Sequence, residues 1–184
     1  MLDIQKTIQF CGDSFCAHVN GYPSILANLL NAKIVGLGKS GTAHEQAIQS
    51  YQPDVDYTFF AWTEATRVHH PTRSTTFGES ELKKDTSNFH DAVYNYYKYI
   101  MDFDYHTQRQ IRDLYWFDKE VLSKSSSKII HSFGFKITYT FENGLNLPQA
   151  LSTGMVPTYD DNLNHLSDEK NKKLALYLFH KFTE

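Results

Sequence analysis

Six consecutive residues, Tyr57-Thr58-Phe59-Phe60-Ala61-Trp62, run without polar alternation beyond Thr58. A strand with one wet face alternates apolar and polar residues, so a run like this must be covered on both faces. Three more segments read as short strands: Thr7-Ile8-Gln9-Phe10-Cys11, ending at Gly12; Ala32 to Gly36; and Lys128-Ile129-Ile130-His131-Ser132-Phe133. Helical periodicity separates them. A helix is expected from about Tyr22 to Asn31, with Pro23 in its first turn and Ile25, Leu26, Leu29 and Leu30 on one face. A second runs from Thr42 to Tyr51, with Ala43, Ala47 and Ile48 on one side. A third is marked by Phe89, Ala92, Val93, Tyr96, Tyr97, Ile100 and Met101, with Thr86 or Ser87 as its cap. The spacing of Ile111, Leu114, Tyr115, Val121 and Leu122 predicts another. A closing helix is capped by Ser167, carries Asp168 and Glu169 in its first turn, and buries Leu174, Ala175, Leu178, Phe179 and Phe182. Ile137 to Phe141 is expected to form a short strand, and Gly144 to Pro157 to be loop-like.

Strands that alternate with helices imply a mostly parallel sheet with helices on both faces, joined by right-handed crossovers. In such α/β sheets ligands bind beyond the carboxyl ends of the strands, where the strand order reverses. The loops after the strands are therefore the places to look for chemistry. The 184 residues suit a single domain spanning the chain, with a polar, irregular insertion or lid at about 68–86.

Composition removes several classes of function. Net charge is −3 and pI about 6.3, which supports neither a nucleic-acid groove nor binding to an anionic membrane. The apolar runs fall well short of the roughly 20 residues a spanning helix needs. The first residues have no basic region and no apolar core of a signal peptide, so a cytoplasmic location is expected. Cys11 and Cys16 lie in one short stretch where a bridge would staple little, so reduced thiols are expected.

Four segments carry groups fit for chemistry. Gly12-Asp13-Ser14 comes after the first strand and places a hydroxyl at the open edge of the sheet; Cys16, nearby, is a less favoured nucleophile. Gly36-Leu37-Gly38-Lys39-Ser40-Gly41-Thr42 comes after the second strand. It lacks the first glycine of a phosphate loop, because position 33 is Lys, and reads as a turn with backbone N–H groups facing the cleft. After the third strand come Thr63, Glu64 and Arg67, of which Glu64 and Arg67 have the spacing of an ordinary surface pair. Near the end, Asp160-Asp161-Asn162-Leu163-Asn164-His165 puts an imidazole on a loop behind carboxylates, which can fix its tautomer and stabilise its charged form. No metal is needed, and the histidines lack metal spacing: Ile48 stands where a second zinc-binding histidine would be expected after His44-Glu45.

In this order the four segments resemble the four blocks of the SGNH, or GDS(L), hydrolases, over roughly residues 7 to 183. The resemblance implies a flavodoxin-like, three-layer α/β/α fold and a serine esterase that needs no cofactor. Carried over, it makes Ser14 the nucleophile and His165 the general base, with Asp161 orienting His165. The backbone N–H groups of Ser14 and Gly41 would serve as oxyanion donors. Asp13, Glu64 and Arg67 are expected at the substrate, a small-molecule or carbohydrate ester. The family's Gly-x-Asn-Asp block is replaced by Ala61-Trp62-Thr63-Glu64, so Thr63 stands where the third oxyanion donor is usually Asn. Asp161 sits one residue earlier than the usual Asp-x-x-His spacing, which leaves Asp161, Asp160 or a backbone carbonyl to orient His165. Two further outcomes fit the same residues: a binding module with weak or no turnover, and acyl transfer to a sugar hydroxyl.

Overall fold

The structure, a computed structural model, describes residues 5–70, 88–148 and 166–184. Five strands form one parallel sheet: β1 (Lys6–Gly12), β2 (Ala32–Gly36), β3 (Tyr57–Trp62), β4 (Lys128–Phe133) and β5 (Leu145–Asn146), in the order β2-β1-β3-β4-β5. This is the flavodoxin-like order, with its switch point between β1 and β3. The helices are α1 (Tyr22–Leu29), α2 (His44–Ser50), α3 (Asn88–Tyr99), α4 (Phe103–Trp116) and α5 (Asp168–Thr183).

Two apolar clusters explain the unbroken hydrophobic runs. Phe10 and Phe59 point to one face, where they meet Tyr22 and Leu26 of α1 and Leu178 and Phe182 of α5. Cys11, Phe60 and Trp62 point to the other, against Ala47 of α2 and Leu114 of α4. Successive residues of β3 thus enter opposite cores, and each aromatic ring buried there stabilises the fold by about 1.5–3 kcal/mol. Asn171 links α5 to α1, its Oδ1 accepting the Tyr22 N–H at 2.8 Å. The Ser167 hydroxyl caps α5 as expected, accepting the Lys170 N–H.

Three boundaries differ from the sequence expectation. The segment 137–141 is not a strand; its polar groups are taken up by side chains. Thr138 Oγ1 donates to Gln110, Tyr139 Oη donates to Asp118, and the Phe141 N–H donates to Asn146 Oδ1. The sheet edge is filled instead by the two residues of β5. The helix expected around Ile111 starts earlier, because the Asp102 carboxylate accepts the Tyr105 N–H and caps α4. It also ends earlier, at Trp116, and continues as a π turn over Phe117–Val121. The helix expected from Thr42 begins at His44, since Gly41 has φ +70° and Ala43 is extended. The expected caps Thr86 and Ser87 and nearly all of the polar insertion lie outside the described residues.

The second core holds a buried histidine. His131 accepts the Trp62 Nε1–H at 3.1 Å through Nδ1 and donates from Nε2 to the Asn143 carbonyl at 2.9 Å, with Phe141 stacked on its ring. Burial lowers its pKa from 6.5 to about 4, so the ring is neutral in the fold. The unfolded chain takes up a proton below pH 6.5 that the fold refuses until about pH 4. Stability should therefore fall as pH drops from 6.5 to about 4, by roughly 3 kcal/mol from this group. Urea melts across that window should show the loss, and His131→Phe should flatten it while lowering stability throughout by orphaning the Trp62 N–H. Equal pH dependence in both proteins would refute the assignment.

Candidate active site at the carboxyl edge of the sheet

Residue 14 opens a short 3-10 turn, Ser14–Cys16, directly beyond β1. Asp13 builds that turn. One of its carboxylate oxygens accepts the Phe15 N–H at 3.1 Å, and the other accepts from Arg67 at 3.0 Å. The loop after β2 is pressed onto the same turn: the Gly38 N–H donates to the Cys16 carbonyl and the Lys39 N–H to the Gly12 carbonyl. Only glycine fits at position 38, where a Cβ would lie 2.6 Å from both the Asp13 carbonyl and Cys16 Sγ. Arg67 closes the arrangement. Its NH1 reaches both Asp13 Oδ2 and, at 3.4 Å, the Thr42 carbonyl. One nitrogen thus ties residue 13 to residue 42, and with them their neighbours Ser14 and Gly41.

Neither the Ser14 nor the Gly41 N–H donates to another described residue, and the Ser14 hydroxyl has no hydrogen-bond partner among them. Unspent amide donors held close to a hydroxyl are what binding an oxyanion requires. Ser14 also lines a cavity of about 260 Å³ with Phe15, His18, Tyr22, Leu166 and Asn171.

The other expected site residues have different fates. Asp13 and Arg67 are both buried, so the groups expected to meet substrate instead brace the Ser14 turn. Burial pushes the Asp13 carboxyl above its ordinary value, and the Arg67 charge offsets only part of that. Glu64 pairs with Arg67 Nε at 3.2 Å and is the most exposed of the three, its side chain 39% accessible. Thr63 is buried; its hydroxyl lies toward the Asp13 carboxyl but forms no well-aligned hydrogen bond among the described residues. Its carbonyl accepts from Gln110 of α4, and the Arg67 carbonyl from Arg109. His165, Asp161 and Asp160 lie outside the described residues.

Cys16 is fully buried, and burial raises its thiol well above the ordinary value; Cys11 is pushed up to about 12. Protonated, buried thiols are inert. Sequence reasoning missed His18, which shares the cavity with Ser14 and sits four residues after it. It also missed Arg109 and Gln110, whose only signal was a place on a helix of unknown contacts. No protein-family model, curated protein or solved structure matches the chain.

Proposed function

We propose that this chain is a serine-dependent ester hydrolase working through an acyl-enzyme on Ser14. The observation that supports the reading is the Ser14 turn itself: a hydroxyl at the switch point of a parallel sheet, on the wall of a cavity, with its own backbone N–H unspent among the described residues. The order of the four sequence blocks, which resembles that of the SGNH hydrolases, supports it. In this reading His165 takes the Ser14 proton as the hydroxyl attacks the ester carbonyl. The Ser14 and Gly41 N–H groups hold the oxyanion, and the protonated imidazole then releases the alcohol. Water attacks the acyl-enzyme with His165 as base, the acid leaves, and Ser14 is regenerated. The substrate is a small or carbohydrate-linked ester; the cavity is below the usual size of a drug-sized ligand site.

The test is hydrolysis of p-nitrophenyl acetate, with comparison of His165→Ala and His18→Ala. Wild-type turnover above buffer is expected, with kcat reduced about a thousandfold or more by His165→Ala and tenfold or less by His18→Ala. No turnover above buffer would sink the hydrolase reading; the reverse ranking of the two histidines would transfer the base to residue 18.

A further inference from the structure

A second cluster, which the Ser14 chemistry does not use, joins the start of α2 to α4. His44 is fully buried, with a carboxylate at each ring nitrogen: Asp113 Oδ2 lies 2.9 Å from Nε2, and Glu45 Oε2 lies 3.4 Å from Nδ1. A neutral imidazole has one N–H and can donate to only one of them. The Asp113 contact is a hydrogen bond. The Glu45 contact is not: Nδ1 and Oε2 are both buried, and neither has a hydrogen-bond partner among the described residues. With Nε2–H donated to Asp113, the neutral ring leaves Nδ1 as an electron-pair donor facing Glu45 Oε2. Their 3.4 Å separation is what two ligands of one ion require, since zinc about 2.0–2.1 Å from nitrogen and oxygen in a tetrahedron spaces them by roughly 3.3–3.4 Å. The hydrogen bond from Nε2 to Asp113 is also the partner a metal-bound imidazole usually has on its far nitrogen. One donor atom from each of the three residues lies within 4.8 Å of the other two.

We propose that His44, Glu45 and Asp113 form a site for one divalent transition-metal ion. One imidazole nitrogen and one carboxylate oxygen, with water completing the shell, suit zinc or manganese. His44 Nδ1 and Glu45 Oε2 are the primary ligands, and Asp113 holds the ring from behind. The Glu45 and Asp113 side chains are partly exposed, so the cluster borders solvent on their side. Arg109 pairs with the other Glu45 oxygen at 3.2 Å, and this neighbouring charge lowers the affinity for a cation. The ion ties α2 to α4. Because Arg109 also donates to the Arg67 carbonyl, the tie supports the loop that holds Asp13. The site does not depend on Ser14 being a nucleophile.

Isothermal titration of chelator-stripped protein with zinc chloride and with manganese chloride tests this directly. One saturable equivalent is expected, with a rise in melting temperature. Glu45→Gln, a partly exposed position whose change should not unfold the chain, should weaken binding by about a hundredfold, and Asp113→Asn by about tenfold. Absence of saturable binding up to about 1 mM metal would overturn the proposal. Undiminished binding in Glu45→Gln would do the same, as would nitrogen NMR showing both His44 ring nitrogens protonated and unmoved by metal.

Discussion

Alanine at position 14 is expected to cut ester turnover by about 10⁴-fold or more while leaving the fold intact. The Ser14 hydroxyl makes no hydrogen bond to another described residue, so its loss removes no structural contact of that kind among them. The turn is built by the Asp13 carboxylate and by the backbone of Gly38 and Lys39, through bonds that do not involve the Ser14 side chain. Stability should therefore change by no more than about 0.5 kcal/mol. Cys16 cannot take over, because burial keeps its thiol protonated. The check is kcat for p-nitrophenyl acetate beside a urea melt of the same preparation. A variant that folds normally and turns over at the wild-type rate would remove Ser14 from the chemistry.

The largest stability effect is expected from Arg67→Ala. Arg67 and Asp13 are both buried, and removing the guanidinium strands a carboxylate in the interior. Breaking a buried pair from one side typically costs about 3–5 kcal/mol. The Thr42 carbonyl loses a donor at the same time, so the two loops that present Ser14 and Gly41 are no longer tied. Activity should fall beyond the loss of folded protein, because the amide donors act only when held in place. Pairing Arg67→Met with Asp13→Asn should cost clearly less than the sum of the single changes.

The pH dependence carries a sign. Burial already raises the Asp13 carboxyl, and loss of Arg67 raises it further. A carboxyl raised in the fold binds its proton more tightly there than in the unfolded chain, so the Arg67→Ala deficit should shrink as pH falls toward the folded value. Urea melts at several pH values measure both effects. A deficit below about 1 kcal/mol would mean that the pair does not brace the turn.

Much of this arrangement is legible in the chain alone. β1, β3 and β4 announce themselves because both faces of the sheet are covered there, which leaves apolar runs too short for anything but strands; β2, an edge strand with Lys33 and Val35 exposed, shows as a short apolar run ending at Gly36. Ser14 is legible for a related reason: a chain leaving a central strand at Gly12 must emerge at the open edge of the sheet. β5 is hidden because two residues carry no period, and the apolar segment 137–141 looks like the better strand. Arg67 looks like a surface partner of Glu64, since three-residue spacing cannot reveal that Asp13, 54 residues earlier, waits beneath it. The His44 cluster is a matter of tertiary contact alone, because Asp113 lies 69 positions from His44. Local spacing exposes elements and the residues at their ends; buried charges are assigned by contacts that no window along the chain can see.

An activated serine betrays itself by covalent capture, which needs no knowledge of the natural ester. The intact protein would be treated with a fluorophosphonate and its peptides mapped by mass spectrometry. One adduct on the peptide containing Ser14 is predicted, missing in Ser14→Ala and strongly slowed in His165→Ala. A wild-type protein that stays unmodified, or that carries the adduct elsewhere, would contradict the account.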